Sequence, residues 1–73
     1  MDRIVTDPKI LAGKPVIKGT RIPVYLVLNL VANVKTIKQI IEDYPDLAEA
    51  DIKAALKYAA WHMKYEETRG LEA

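Results

Sequence analysis

Pro23-Val24-Tyr25-Leu26-Val27-Leu28-Asn29-Leu30-Val31 decides the fold, because it reads either as a buried strand or as a helix. Its valines and nearly unbroken apolar character suit a strand. Pro23 suits a helix start, since its ring presets φ and its missing N–H would be unpaired in a first turn. We read a helix running to about Asn33. At about 100° per residue, Val24, Val27, Leu28 and Val31 share one face while Leu26 and Leu30 lie on another. A helix apolar on two sides wants two partners, which makes Leu26 and Leu30 candidates for a homodimer interface.

Upstream, residues 1–22 contain two of the four prolines and two of the three glycines, between the β-prone pieces Ile4-Val5-Thr6, Val16-Ile17 and Thr20-Arg21-Ile22. They predict a small hairpin or a pair of short strands. Lys18-Gly19 is the expected tight turn and Gly13 serves a loop, because glycine takes positive φ without a Cβ clash. Downstream, Thr36-Ile37-Lys38-Gln39 matches a capping box. Ile37, Ile40, Ile41 and Tyr44 recur at helical spacing until Pro45 stops the run. A third helix opens at Asp46-Leu47-Ala48-Glu49, with Asp46 as cap, and runs through roughly Tyr65. The expectation is one mainly α domain: a β and loop element over 1–22, three helices over 23–65 and a loose tail over 66–73.

The faces of the third helix separate on the 3.6-residue period. Ile52, Ala55, Leu56, Ala59 and Met63 read as the core stripe. Lys53, Lys57 and Lys64 line up about a third of a turn round, and Tyr58, Trp61 and Tyr65 lie opposite the core. The aromatic stripe is either covered by another element of the chain, a dimer contact, or a surface for a different protein. The lysines are either phosphate contacts of a helix-turn-helix or a solvated face, and no mid-helix arginine or asparagine is placed to read a base edge.

The chain has 73 residues, of which 51% are hydrophobic. A single core of this size hides only about 60% of the unfolded chain's surface, so association is an economical stabiliser. With no cysteine and one histidine, disulfides and the usual zinc ligand sets are excluded, and neither cofactor nor metal is expected. No apolar run reaches the roughly 20 residues of a membrane span. Met1-Asp2-Arg3-Ile4-Val5 is unlike a secretory leader, so the expected location is cytoplasmic. The net charge of +1 hides an asymmetry: residues 1–35 carry six Lys/Arg against two Asp, and residues 36–73 carry five against eight Asp/Glu. Only the first part reads as a basic surface.

Candidate chemistry is sparse. Gly13-Lys14-Pro15 is not a phosphate-binding loop, because Pro8 stands where the first glycine belongs and Pro15 replaces the magnesium-holding hydroxyl. His62 lies four residues from Tyr58 and from Glu66 but lacks a nucleophile or metal partner. Glu42-Asp43 and Glu66-Glu67 are adjacent pairs that point in different helical directions. We therefore expect no catalytic residues and no small-molecule substrate.

Gly13-Lys14-Pro15-Val16-Ile17-Lys18-Gly19-Thr20-Arg21-Ile22-Pro23-Val24 resembles the prokaryotic domain-of-unknown-function 433 family, whose pattern reads G-K-P-x-I-x-G-T-R-I-x-V. Asp7-Pro8 upstream, then Tyr44-Pro45-Asp46-Leu47 and Asp51-Ile52-Lys53-Ala54-Ala55-Leu56-Lys57-Tyr58-Ala59 downstream, extend the resemblance over about residues 4–60. It implies a short β element before a homeodomain-like three-helix bundle, and an antitoxin-like role beside a PIN-type ribonuclease. Asn33 stands where the family often has glycine, and Ala48 where it often has a hydroxyl cap. Asn33 is expected to take the left-handed conformation and Asp46 the capping. PIN-type nucleases hold metal with carboxylates, so an inhibitor needs cations; Lys14, Lys18, Arg21 and Arg69 are the candidates. The plainer alternatives are an ion pair of Arg21 with Asp7 or Asp46, and a solvated chain end at Arg69. Besides antitoxin action, a stand-alone DNA-binding regulator and an orphan dimeric scaffold fit the same residues.

Overall fold

The computed structural model describes the backbone of residues 3–72 and the side chains of residues 3–64. Strand β1 (Ile4–Val5) pairs antiparallel with β2 (Val16–Ile17), placing Ile4 opposite Ile17 and Val5 opposite Val16. Residues 20–22 form no strand. The Ile17 carbonyl accepts the Thr20 N–H at 3.0 Å and its hydroxyl at 2.8 Å, while the Ile17 N–H donates to the Ile22 carbonyl at 2.9 Å. These bonds close a tight turn around Gly19, whose φ is +81°.

Three helices follow: α1 (Val24–Ala32), α2 (Ile37–Asp43) and α3 (Glu49–Glu72). Pro23 is the residue just before α1, one place earlier than expected. A bridge between Val16 and Pro23 and a 2.9 Å bond from the Val24 N–H to the Pro15 carbonyl tie the helix start to the β element. At the other end of α1, Val34 takes the left-handed conformation (φ 63°), whereas Asn33 stays at φ −87°. The Lys35 N–H reaches the Leu30 carbonyl at 3.2 Å and the Val34 N–H reaches Val31 at 3.0 Å, a Schellman closure with valine in the place glycine usually fills. The Asn33 side chain is spent instead on the Asn29 carbonyl at 2.8 Å. A left-handed β-branched residue costs roughly 1–2 kcal/mol, and Val34 recovers little of it by burial because it is 88% exposed.

The capping box of α2 forms as read: the Gln39 N–H donates to the Thr36 hydroxyl at 3.1 Å and the Thr36 N–H to the Gln39 side chain at 2.9 Å. At α3 the cap differs from expectation. Asp46 is not the capping residue; Asp51 accepts the Ala48 N–H at 2.9 Å and, through its other oxygen, the Arg3 guanidinium at 2.9 Å. This supplies the acidic half of a capping box whose hydroxyl half is missing at Ala48. The helical backbone continues to Glu72 instead of ending near Tyr65.

Ile17, Val27, Ile40 and Ile52 are fully buried at the centre, with α3 packed against α1, α2 and β1. The buried stripe of α3 is Asp51, Ile52 and Ala55, with Ala54, Tyr58 and Ala59 half-buried. Leu56 and Met63 are exposed, so the expected core stripe is rotated by roughly half of the 100° step between neighbouring residues. Asp51 lies on the buried side, where it accepts from the Ala48 amide and the Arg3 guanidinium. The result is a mainly α chain, a two-stranded β element followed by three helices, with α2 and α3 in helix-turn-helix order across residues 44–48. Among the described residues no helix is long and apolar enough to cross a membrane.

Candidate recognition groove

The β1–β2 connection, α1 and α3 meet around an open groove of about 280 Å³. The connection reaches it by an unusual route. Leu11, Ala12 and Gly13 have φ values of 49°, 57° and 84°, a left-handed turn closed by the Gly13 N–H on the Ile10 carbonyl at 3.0 Å. Two consecutive non-glycine residues in this region store strain of order 1–2 kcal/mol each, the kind of cost that gathers beside binding surfaces. The turn delivers Lys14 and Pro15 to the groove's mouth.

Val24 and Leu28 of α1 form its floor, and Tyr58, Ala59, His62 and Met63 of α3 form the opposite wall. Tyr25 closes one side; the Lys14 ammonium sits over its ring, 5.3 Å from the centroid. On α3 the His62 ring packs on Tyr58 at 4.3 Å and meets the Trp61 ring edge-on at 5.1 Å. These contacts align three aromatic rings along one helix turn. Met63 in the wall is 71% exposed and Trp61, next to the groove, is 61% exposed, so this part of α3 presents large apolar surface. Lys14 is the single formally charged residue lining the groove, and among the described residues no carboxylate forms an ion pair with it.

The structure thus brings Lys14, Tyr58 and Trp61 to one region, although Tyr58 points inward more than expected and packs partly against the core. Tyr65 and Arg69 lie outside the residues whose side chains are described. Arg21 is exposed in the 18–22 turn and does not line the groove; among the described residues it makes no ion pair with Asp7 or Asp46. The pair that forms is Arg3–Asp51. Lys18 is also exposed, and its N–H is tied to the Arg3 carbonyl at 2.8 Å. Leu26 and Leu30 are half-buried, with Leu30 packed on the core. Lys53 is paired with Glu49 at 3.2 Å, and Lys57 and Lys64 are exposed. Among the described residues no three His, Cys, Asp or Glu side chains are grouped to hold a metal ion.

Tyr25, Leu28 and Met63 were not legible as groove residues. The one available signal was Tyr25, the single aromatic in α1.

The sequence pattern and the architecture agree with one family. A family model described as "protein of unknown function (DUF433)" matches residues 4–59. This chain belongs to the DUF433 family. The crystal structure of a DUF433 member from Anabaena variabilis superposes with a TM-score of 0.79 at 25% identity, over 94% of this chain and 68% of that one. Among sequence relatives, the uncharacterized protein y4eO of Sinorhizobium fredii is 39% identical over 56 residues, covering 77% of this chain and 25% of its own length. An uncharacterized protein of Archaeoglobus fulgidus is 71% identical over 24 residues, 33% of this chain and 67% of its own length. The DUF433 match includes Lys14, Tyr25, Leu28 and Tyr58, whereas His62 and Met63 lie past its end.

Proposed function

We propose that this DUF433 chain is a non-catalytic, antitoxin-like binding module that neutralises a PIN-type ribonuclease. The observation that carries the proposal is the groove: three segments distant in sequence converge on an apolar trough beside the exposed rings of Trp61 and Tyr25, with an ammonium at its mouth. Exposed aromatics beside a pocket are the usual anchors of protein–protein affinity. The exposed cations Lys9, Lys14, Lys18 and Arg21 of the first part supply the sign of charge that an acid-rich nuclease attracts. Self-association through Leu26 and Leu30 is part of the same proposal.

The DNA-binding alternative fits the geometry less well. In a helix-turn-helix the N-terminal turn of the second helix approaches the base edges. Here that turn carries Glu49 and Asp51, and Lys53 is engaged by Glu49. An anisotropy titration with duplex DNA distinguishes the two, since phosphate contacts weaken steeply with rising salt.

The deciding experiment co-expresses the chain with an acid-rich nuclease encoded beside it and measures complex formation and RNA cleavage. A stoichiometric complex with suppressed cleavage is expected. Trp61→Ala should weaken that complex by about 2 kcal/mol, roughly 30-fold. Full cleavage in the presence of excess chain rejects the antitoxin reading.

A further inference from the structure

We infer that the groove takes an acidic, apolar-anchored segment of a partner protein: one large apolar side chain seated between Leu28, Tyr58 and Met63, with a neighbouring carboxylate reaching the Lys14 ammonium. The inference rests on the binding-module reading and specifies what that module grips. The groove's size is just below the range of about 300–1,000 Å³ typical of small-molecule pockets, which suits one or two side chains more than an enclosed ligand. Its floor and α3 wall carry no carboxylate to pair with a cationic guest, and the Tyr25 ring is already taken by the Lys14 ammonium.

Lys14 sets the sign of the guest. Its contact among the described residues is the Tyr25 ring, which holds the ammonium at the mouth while leaving its hydrogen-bond donors open. The left-handed turn at Leu11, Ala12 and Gly13 fixes the backbone just before Lys14, so that the charge is presented from an ordered position. A second copy of the chain is a poorer guest. A two-fold contact through this face would bring the same lining from the other copy, which holds no carboxylate to meet Lys14. A contact between this groove and the trough lined by Ile37, Lys38, Ile41, Glu42 and Glu49 joins unlike surfaces, so it builds a ring or an open chain and not a closed pair, and Lys38 already stands beside those two glutamates.

The test titrates the ¹⁵N-labelled full chain with a blocked ten-residue peptide of glutamates and leucines around a central phenylalanine. Two control peptides carry glutamine or lysine in place of glutamate. The glutamate peptide is expected to bind about tenfold more tightly than the glutamine peptide, with the preference shrinking as salt rises. Shifts should concentrate at Lys14, Tyr25, Tyr58 and His62. In Lys14→Gln the glutamate preference should vanish while the glutamine peptide binds as before, which separates lost charge from lost fold. Equal affinity for all three peptides, or shifts away from the groove, overturns the inference. So do groove shifts that track protein concentration without peptide, since they assign the groove to a second copy. A nuclease complex whose shifts fall elsewhere defeats this inference alone. Peptide capture in the groove without any nuclease complex defeats the partner assignment alone.

Discussion

The opening turns of α3 and the stretch from Leu56 to Lys64 belong to one helix, yet they do different things. In the first, Asp51, Ile52 and Ala55 are buried, and two polar contacts clamp the helix to residues 3 and 48. In the second, Leu56, Trp61 and Met63 are exposed, and the ring contacts described are made along the helix itself. A helix of 24 residues extends about 36 Å, whereas α1 has nine residues and α2 seven, so neither short helix can cover its full length. The early turns are held by the fold, and the later ones carry large exposed side chains.

Substitutions in the two stretches should separate stability from binding. Ile52→Ala, at a fully buried position, is expected to lower unfolding free energy by about 3 kcal/mol in urea denaturation. If it costs no more than an exposed substitution, the first turns of α3 are not core. Asp51→Ala removes the acceptor for both the Ala48 amide and the Arg3 guanidinium and should cost about 2 kcal/mol. Arg3→Ala should cost less than about 1 kcal/mol, because the guanidinium is half-exposed and the amide bond survives. Val34→Gly offers a check outside both stretches: relief of the left-handed valine should raise stability by about 1 kcal/mol, read as a higher thermal midpoint. At the bottom of the scale, Trp61→Ala and Met63→Ala should each change stability by less than about 0.5 kcal/mol. A larger loss at Trp61 would move that ring from the recognition surface into the fold.

How far each feature could be read in advance follows from the range of the interaction behind it. The Thr36–Gln39 capping box needs partners three residues apart and was legible in full. The turn at Gly19 was legible for a similar reason, since the positive φ is a property of one residue and its neighbours. The α1 terminus was misplaced by one residue because a side-chain bond from Asn33 to Asn29 competed with the left-handed state expected of it. The rotation of α3 was not legible at all. The inward side includes Asp51, whose partner Arg3 is 48 residues away, and helical periodicity carries no information about which guanidinium waits opposite a given carboxylate. Of the candidate recognition residues, Lys14, Tyr58 and Trp61 were anticipated. Helical periodicity places Leu28 and Met63 on core-facing stripes and gives Tyr25 no site.

Short-range chemistry alone, encoded in the order of residues, was enough for three helices behind a β element and for the α2 cap, while the segment 13–24 carried the resemblance to DUF433. Only the tertiary structure decided which side of α3 turns inward and that Lys14, Tyr25 and Tyr58 surround one groove. The reason is physical: caps and turns are governed by neighbours a few residues away, whereas a groove is the space left between segments, and its walls are chosen by long-range packing that no local pattern records.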